Sequence, residues 1–582
     1  MHRFVDSAKL LMIRKLLYKA FGAVAEGKIR KLVAASHEPR IAQQEKLLGI
    51  LRKNSDCEIG RTHNFSKISS VEEYRAALPV RTYSDFQPYI DRIAAGEKQV
   101  LTNDPPLMFA TTSGTTGSPK YIPITAGYME EFRLASVVSG YHLLKSFPGM
   151  ADGITMSIVS PAEEGRTSAG IPYGAISGQL FKHEPYLIKK YISPIPYEVF
   201  LLRDYETRYY ILLRLALVLP LSCFYTLNPS TIALLCRRLH RYGPQLIRDI
   251  RDGKASPPGA LSAEANKAIS PFLKPDLQRA KELERLLDAD QFVPAKIWPT
   301  LQVISCWTKA AASFYLADFP QYFGSIPICD ITYGASEGRG TVFMGPGKQM
   351  LALQSHFFEF IPEAEMDSPN PSVLLADELQ EGSNYFILFT TSGGLYRYNI
   401  NDVVKVVGFY NRTPLLEFQY KGGNVCSFTG EKITELQVTA AMTRAARKLD
   451  VDVRFFTVIP KFRPEPHYEL WIEPATDAVR KSGNSKVLLE QFDRVFDEEL
   501  SIENIEYKVK RDSQRLQTVE SKLIKVGSYE SFRYQLTKSG VADAQIKVSH
   551  LNPKADSAEF FAKHLVPTES QQLEASGARG GL

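Results

Sequence analysis

The stretch "FATTSGTTGSPKYIPIT", residues 109–125, decides how the N-terminal part of this chain is interpreted. Gly114 and Gly117 allow backbone angles and close approaches that a Cβ would forbid. Successive N–H groups in such a turn form a concave nest for an anion. Three hydroxyl groups add donors to this nest: those of Ser113, Thr115 and Thr116. The stretch therefore predicts a phosphate-binding loop that follows a strand.

One lysine, Lys120, comes at the end of this loop and supplies a mobile positive charge for a polyphosphate. The loop is not a Walker sequence, because that pattern requires Gly-Lys followed by Ser or Thr. Here Pro119 precedes the lysine and Tyr121 follows it. Taken alone, the stretch also fits a surface turn rich in Gly, Ser and Thr, so other parts of the chain must decide.

Two acidic turns further along the chain favour a nucleotide. In "DITYGASEG", residues 330–338, Tyr333 can offer its ring to a purine, and Glu337 can hold a hard cation such as Mg²⁺. In "GGLYRYNINDVVKVVGFYN", residues 393–411, Asp402 stands at the mouth of a β-rich run and suits the two hydroxyls of a ribose. Each acid taken singly fits a solvated turn better than a ligand, and only the combination points to nucleotide binding.

Composition and charge exclude several classes of protein. The chain has 582 residues and a net charge of +6, with no basic run interleaved with aromatic residues, so nucleic-acid binding is not expected. The six cysteines are scattered without a CxxC pair, which indicates reduced thiols, a cytoplasmic protein and neither a zinc site nor a disulfide framework. The N-terminal segment is interrupted by Lys and Arg and does not resemble a secretory signal.

The most apolar segment, "YYILLRLALVLPLSCFY" at residues 209–225, is too short for a usual membrane span and contains Arg214 and Pro220. It is interpreted as a buried helix that runs into a strand. No membrane partner is expected, and the protein is predicted to be a monomer or a weak dimer.

Alternating β-rich and helical runs predict an α/β domain with a largely parallel sheet. Helical periodicity marks residues 230–250 and 263–287. After about residue 430 the pattern changes to that of a smaller α+β domain. The predicted domain boundaries are 1–428 for a large N-terminal domain, 429–566 for the small C-terminal domain and 567–582 for a disordered tail.

Together these motifs resemble the adenylate-forming enzymes and, more narrowly, the auxin-responsive Gretchen Hagen family of acyl-acid amido synthetases. The resemblance covers residues 70–551 and extends beyond the nucleotide motifs. Further stretches similar to that family are "RTYSDFQPYIDRIAAGE", "GIPYGAISG", "FFEFIP", "GLYRYNINDVV" and "GVADAQIKVSHL". The loop alone would identify only the wider superfamily.

The resemblance implies a large N-terminal adenylate-forming domain with mixed and parallel sheets, and a small mobile α+β C-terminal domain. It implies ATP and Mg²⁺ as cofactors, with a carboxylic acid and an amino acid as substrates. The ATP-binding positions it implies are Ser113, Gly114, Thr115, Thr116, Gly117, Lys120, Thr332, Tyr333, Gly334, Ala335, Ser336 and Asp402. The implied catalytic residues are Lys120, Glu337 (also the metal ligand) and Lys547, which the small domain brings towards the phosphates.

The chain departs from the family pattern at three places. Asn401 replaces the Gly that usually precedes the ribose acid, although Asn tolerates positive φ better than other non-glycine residues. "YGASE" differs from the usual Ala-Ser before Ser-Glu, and "IKVSH" lacks the Pro-Arg that commonly follows the C-terminal lysine. No charge that the chemistry needs is removed.

The predicted reaction has two steps, formation of an acyl-adenylate with release of pyrophosphate and attack of an amine with release of AMP. Two alternatives remain open: transfer of the acyl group to coenzyme A or a carrier thiol, and an inactive nucleotide-binding relative. The pocket for the acyl acid is expected to be lined by "GIPYGAISG" and "SCWTKAAASFY". The second stretch fits equally well an aromatic helix that belongs to the hydrophobic core and binds no substrate. The candidate substrate residues are Gly170, Ile171, Tyr173, Trp307 and Tyr315. The small domain is expected to move on a hinge at residues 427–435, which contain Gly430.

Overall fold

The protein is described by a computed structural model. The residues described are 2–112, 120–366, 368–422, 425–426, 431, 433–461, 465–476, 485–512, 516–538, 546, 549–552 and 557–566. The chain divides into two compact units, Met1–Phe418 and Gln419–Leu582.

The strands of the described residues are numbered in chain order. They are β1 (Met108–Thr112), β2 (Lys120–Ile124), β3 (Ile154–Ser157), β4 (Gly165–Arg166), β5 (Pro172–Gly174), β6 (Leu221–Tyr225), β7 (Val303–Cys306), β8 (Ile328–Asp330), β9 (Gly334–Ala335), β10 (Gly338–Arg339), β11 (Thr341–Phe343), β12 (Gln349–Leu351), β13 (Phe357–Pro362), β14 (Asn384–Thr390), β15 (Tyr398–Tyr410), β16 (Thr413–Lys421), β17 (Val425–Cys426), β18 (Ile433–Thr434), β19 (Val453–Lys461), β20 (His467–Pro474) and β21 (Glu520–Leu523).

The α-helices are numbered in the same way, and short 3₁₀ turns connect several of them. They are α1 (His2–Ala35), α2 (Pro39–Lys53), α3 (Glu58–Thr62), α4 (Val71–Ala77), α5 (Tyr83–Ala94), α6 (Ala126–Ser146), α7 (Ile176–Lys182), α8 (Tyr186–Tyr191), α9 (Tyr197–Phe200), α10 (Tyr205–Ala216), α11 (Pro229–Asp252), α12 (Ala263–Ile269), α13 (Leu277–Asp288), α14 (Pro294–Ile297), α15 (Phe319–Phe323), α16 (Glu435–Leu449), α17 (Ser485–Glu503), α18 (Ile505–Asp512), α19 (Ser528–Lys538) and α20 (Ala558–Ala562).

A four-stranded parallel sheet of order β3-β6-β7-β8 confirms the α/β pattern predicted for the first unit. The segment at 209–225 is a buried helix, α10, that leads into β6, as its composition indicated. None of the described helices is both long enough and apolar enough to cross a bilayer.

The largest sheet differs from the expectation of a largely parallel arrangement. It has the order β11-β12-β16-β15-β14-β13, and neighbouring strands such as β13, β14 and β15 pair antiparallel. No α-helix of the described residues lies between these three strands in the chain. Parallel neighbours need a long crossover connection, whereas strands joined directly run antiparallel.

The helical prediction for residues 263–287 is partly wrong. The structure divides this stretch, because α12 ends at Ile269 and α13 begins only at Leu277. Pro271 and Pro275 lie between the two helices. Proline lacks an N–H group and restricts the residue before it, so an uninterrupted helix is not available here.

The predicted strand before the phosphate loop is β1, which lies in a sheet of order β2-β1-β5-β4. β1 and β2 are antiparallel, and Thr112 is paired with Lys120. β5 runs parallel to β1 on its other side, with Tyr173 opposite Phe109. β1 therefore ends and β2 begins at the same end of the sheet.

The second unit confirms the α+β pattern predicted after residue 430. β19 and β20 pair antiparallel, and β21 joins β20 in parallel. α16 begins with a capping box in which Thr434 and Gln437 bind each other's backbone N–H groups. A cluster of aromatic and aliphatic side chains, including Phe455, Trp471 and Phe561, forms part of its core.

Candidate active site

Lys120 begins β2 directly after the loop, and its ammonium group lies 4.9 Å from the centre of the Tyr83 ring. Tyr83 starts α5, and its hydroxyl accepts a hydrogen bond from the Tyr121 N–H at 2.9 Å. Burial raises the pKa of Tyr83 to about 12, with smaller contributions that include the nearby Glu337 charge. The loop lysine and the predicted metal acid thus both lie near the Tyr83 side chain.

Glu337 lies at the tip of a short hairpin. β9 and β10 pair antiparallel with Ala335 opposite Gly338, so only Ser336 and Glu337 connect them. The Tyr128 hydroxyl donates to the Ser336 carbonyl at 2.8 Å and fixes the tip from α6. Although it is at a hairpin tip, Glu337 is only 6% exposed, so it is not a solvated turn acid.

Within the described residues, the Glu337 carboxylate accepts one hydrogen bond, from the Tyr398 hydroxyl at 3.4 Å, and forms no ion pair. Anionic oxygens are the preferred ligands of hard divalent cations. A buried carboxylate that receives a single long hydrogen bond keeps lone pairs available, so its chemistry fits a Mg²⁺ ligand.

Asp402 lies inside β15 rather than at the mouth of a strand, which corrects the sequence-based placement. Residues 400–402 face the single residue Ile387 of β14, so the strand bulges at this point. Asn401 has a φ of 64° and donates its N–H to the Asn399 side chain at 2.7 Å. The left-handed conformation expected of Asn401 is therefore present, and the bulge redirects the aspartate.

Tyr333 connects the two acidic segments. Its hydroxyl donates to Asp402 Oδ2 at 2.8 Å, and its ring stacks on Phe418 with 5.6 Å between centroids and 11° between planes. A Cβ at Gly340 would come within 2.2 Å of the Tyr333 ring, so glycine is required for this approach. With Phe418 on one face, the ring can stack on a purine only through its other face.

The phenols around the two acids remain neutral at physiological pH. Burial raises the pKa of Tyr333 and Tyr398 well above the usual phenol value, and the charges of Asp402 and Glu337 raise it further. Both hydroxyls are therefore donors to carboxylates. The site combines two buried acids with neutral hydroxyl groups and the Lys120 cation.

The candidate acyl-acid residues fall into two groups, one at or just before β5 and one after β7. Tyr173 lies on β5 and packs against Tyr121 with 5.3 Å between ring centroids, so it borders the loop sheet. Gly170 is exposed with a φ of 79°, and Ile171 is half-buried against the core. Trp307 follows β7 of the parallel sheet, and Tyr315 is 9% exposed. That these residues contact an acyl acid remains a prediction.

Glu164 is a further acid beside the loop that the sequence did not indicate. The Thr111 hydroxyl, two residues before Ser113, donates to Glu164 Oε2 at 3.2 Å. The Glu164 residue as a whole is exposed. Its carboxyl group is nevertheless partly desolvated by surrounding protein atoms, which raises its pKa to about 7, and the Thr111 hydrogen bond lowers the pKa only in part.

Several predicted site residues lie outside the described residues. They are Ser113, Gly114, Thr115, Thr116, Gly117 and Lys547, together with Gly430 of the predicted hinge. The remaining nucleotide residues Thr332, Gly334, Ala335 and Ser336 all lie at or beside the hairpin. The structure thus brings Lys120, Tyr333, Glu337 and Asp402 into one region of the first unit.

One group of possible metal ligands lies in the second unit, namely His467, Glu469 and Glu520. Lys522 forms ion pairs with both of these glutamates, and Lys461 lies 3.6 Å from Glu469. Ammonium groups already occupy the space beside the carboxylates, so the group is an ion-pair network rather than a cation site.

Comparison with known structures shows which fold the chain has. The GH3.15 acyl acid amido synthetase superposes with a TM-score of 0.81 at 22% identity, over 93% of this chain and 96% of that one. The AtGH3.15 acyl acid amido synthetase in complex with 2,4-DB gives a TM-score of 0.80. The chain has the fold of the acyl acid amido synthetases.

Family profiles complete the identification. The GH3 family N-terminal, central and C-terminal domains match residues 28–328, 349–421 and 436–555. The chain belongs to the GH3 family, which confirms the resemblance found in the sequence. Jasmonoyl–L-amino acid synthetase JAR4 of Nicotiana attenuata is 25% identical, with 87% of this chain and 90% of that protein covered. Indole-3-acetic acid-amido synthetase GH3.6 of Arabidopsis thaliana is 28% identical, with 70% and 71% covered.

Proposed function

We propose that this protein is an ATP-dependent amido synthetase, which adenylates a carboxylic acid and transfers the acyl group to the amine of an amino acid. Membership of the GH3 family supports the reaction class, since the named relatives are amido synthetases. The observation that supports it most directly is the juxtaposition of the buried acids Glu337 and Asp402.

The chemistry follows from the electronic structure of a carboxylate. Its carbonyl carries negative charge and has no leaving group, so an amine cannot displace it directly. Attack of a carboxylate oxygen on the α-phosphorus of ATP forms the acyl–O–P bond and breaks the bond to pyrophosphate. A neutral amine then attacks the acyl carbon, AMP leaves, and the amine loses a proton.

The described residues have distinct roles in this proposal. Asp402 would accept hydrogen bonds from the ribose hydroxyls, and the free face of Tyr333 would stack on the adenine. Lys120 would neutralise phosphate oxygens on which charge accumulates. Glu337 would hold Mg²⁺, which supplies further positive charge at the phosphates.

The sequence pattern favours an amine acceptor over a thiol. The C-terminal segment "AQIKVSHL" is not the glycine-flanked lysine motif of thiol-transferring relatives. An amino acid therefore remains the proposed second substrate. The expected acyl acid is apolar or aromatic because Trp307, Phe314 and Tyr315 are aromatic.

The experiment is a two-stage screen of the purified protein. ATP–pyrophosphate exchange is first measured with pools of carboxylic acids, and the active pool is then combined with pooled amino acids or with coenzyme A. Mass spectrometry should detect an N-acyl amino acid and AMP. A thioester in place of the amide would contradict the acceptor assignment, and no exchange with any acid would contradict the adenylation step.

A further inference from the structure

A further buried acid, Glu131 on α6, is not part of the nucleotide motifs. It is 5% exposed and forms an ion pair with Lys46 of α2. It also accepts hydrogen bonds from the hydroxyl and, at 3.3 Å, the N–H of Ser392. Burial alone would raise the pKa of Glu131, but His356 and Lys46 hold it below the usual value, so the acid is ionised.

His356 lies between Glu131 and the hairpin that carries Glu337. Its Nε2 accepts the Arg339 N–H at 3.0 Å, and a backbone N–H can only donate, so Nε2 carries a lone pair. The proton of the neutral ring is therefore on Nδ1, which lies 3.1 Å from Glu131 Oε2 in poor hydrogen-bond alignment. Burial lowers the pKa of His356 against the opposing effect of Glu131, consistent with a neutral ring.

The position of His356 is fixed by packing on several sides. The residue is fully buried, and the Gln43 side chain of α2 donates to its carbonyl at 2.8 Å. Its ring stacks on Tyr128, the residue that also binds the Ser336 carbonyl. A Cβ at Gly338 would lie 3.0 Å from the ring and 2.7 Å from Phe389, so the hairpin packs closely against the imidazole.

Ser392 connects the same acid to the segment that leads to Asp402. Its carbonyl accepts a hydrogen bond at 2.8 Å from Thr125, the N-cap of α6. The turn at Ser392 follows β14 and precedes β15, which carries the aspartate. Glu131 therefore reaches both nucleotide-binding segments. His356 lies between it and Arg339 of the Glu337 hairpin, and Ser392, which precedes the Asp402 strand, contacts it directly.

We propose that Glu131 is a positioning residue for the nucleotide site, which holds the Glu337 hairpin through neutral His356 and the turn before Asp402 through Ser392. This inference rests on the proposed function for its ligand, MgATP. A buried charge contributes most where its partners are rigid and hydrogen-bonded, and a misplaced site group reduces binding and rate. The competing interpretation is an ion-pair network that stabilises the fold only.

The first test compares MgATP affinity, measured by calorimetry, in Glu131→Gln and in a matched control. Glutamine keeps the size of the side chain and removes the charge that orients His356 and Ser392. We expect the Kd for MgATP to rise about tenfold or more, the scale of one lost hydrogen bond to a charged group. The control is Tyr210→Phe, which removes a buried hydrogen bond to Asp249 in a hydrophobic cluster of the first unit that does not contain Glu131 or His356. It should lower the melting temperature without changing the Kd.

The second test separates the hydrogen-bonding groups of the His356 side chain from its volume. His356→Gln can accept the Arg339 N–H and donate towards Glu131, so its MgATP affinity should stay within a few-fold of wild type. His356→Phe fills the space without these groups and should show the same loss as Glu131→Gln. In the protein without ligand, ¹⁵N NMR of the histidine side chains should report a neutral Nδ1–H tautomer for His356.

The outcomes distinguish the two proposals. Wild type that binds MgATP but exchanges no pyrophosphate contradicts the proposed function, and the affinity ratios still decide the role of Glu131. A Glu131→Gln protein that loses stability like Tyr210→Phe but keeps the wild-type Kd overturns the positioning role. Wild type that does not bind MgATP at all overturns both.

Discussion

Two buried glutamates of the first unit differ in how their charge is compensated. Glu359 on β13 is 1% exposed and forms ion pairs with Arg397 and Arg75. Glu337 is 6% exposed, and in the described part of the chain only the Tyr398 hydroxyl donates to it. Glu359 is a structural acid whose charge is balanced by two arginines of the protein. Glu337 has no such partner among the described residues, as expected of an acid that binds a cation from solution.

The difference extends to the backbone. Arg397 has a φ of 49°, which is unfavourable for a side chain with a Cβ, and its guanidinium also donates to the Leu78 carbonyl at 2.7 Å. The ion pair with Glu359 holds this conformation, and Tyr398 follows directly in the chain. The backbone strain thus lies at the ion-pair partner of the structural acid and not at Glu337 itself.

The largest expected effect is on catalysis. Glu337→Gln should lower pyrophosphate exchange about a hundred- to a thousandfold, because one preorganised charge-stabilising group is lost in a water-poor site. The melting temperature should stay the same or rise, since a buried charge without a counter-ion is removed. Exchange kinetics and a thermal melt of the same preparation check both. A Glu337→Gln enzyme with wild-type exchange activity would show that Glu337 is not a functional acid.

Glu359→Gln should have the opposite signature. Removal of one member of a buried ion pair leaves the arginine charge uncompensated and costs about 3–5 kcal/mol of unfolding free energy. Urea unfolding of the variant measures this loss. The Kd for MgATP of the fraction that remains folded should lie within a few-fold of wild type. A variant as stable as wild type would show that the two acids do not differ in this way.

A buried group of the second unit gives a pH test. His550 is fully buried, stacks on Phe456 at 4.1 Å, and its backbone N–H is bound by Glu435. Burial lowers the pKa of His550 to about 4, whereas the unfolded chain titrates near 6.5. Its contribution to stability is therefore complete above pH 6.5 and is lost as the pH falls towards 4, by about 3 kcal/mol.

Denaturant unfolding of His550→Phe between pH 7 and 4 checks this contribution. Phenylalanine keeps the stacking and does not titrate, so the acid destabilisation should shrink in the variant. The exposed His183 provides the control, and His183→Asn should show the wild-type pH profile. Equal profiles for His550→Phe and wild type would mean that His550 does not titrate in this range.

The smallest expected effect concerns Asn401. Asn401→Ala should cost about 1–2 kcal/mol of unfolding free energy because alanine disfavours the left-handed conformation at φ 64°. Asn401→Gly should be close to neutral and keep the MgATP affinity. If alanine and glycine behave alike, the bulge does not depend on this conformation.

The sequence was sufficient for the fold class, the family and most strands, since alternation, composition and turn residues are local signals. It also selected Tyr333, Glu337 and Asp402, which the structure brings into one region of the first unit, although Asp402 lies inside a strand and not at its mouth. It could not reveal Glu131 or His356, because neither belongs to a motif and their contacts with Ser392 and Arg339 form only after the sheets pair. The antiparallel order of β13 to β15 was missed because buried strands of either kind have similar sequences.

The most direct test of the account is calorimetric titration of ATP into wild type and Glu337→Gln, with and without Mg²⁺. The prediction is that Mg²⁺ tightens ATP binding to wild type and has little effect on the variant, because Glu337, which among the described residues accepts a hydrogen bond only from the Tyr398 phenol, is the proposed metal ligand. The same Mg²⁺-dependent gain in both proteins would contradict it.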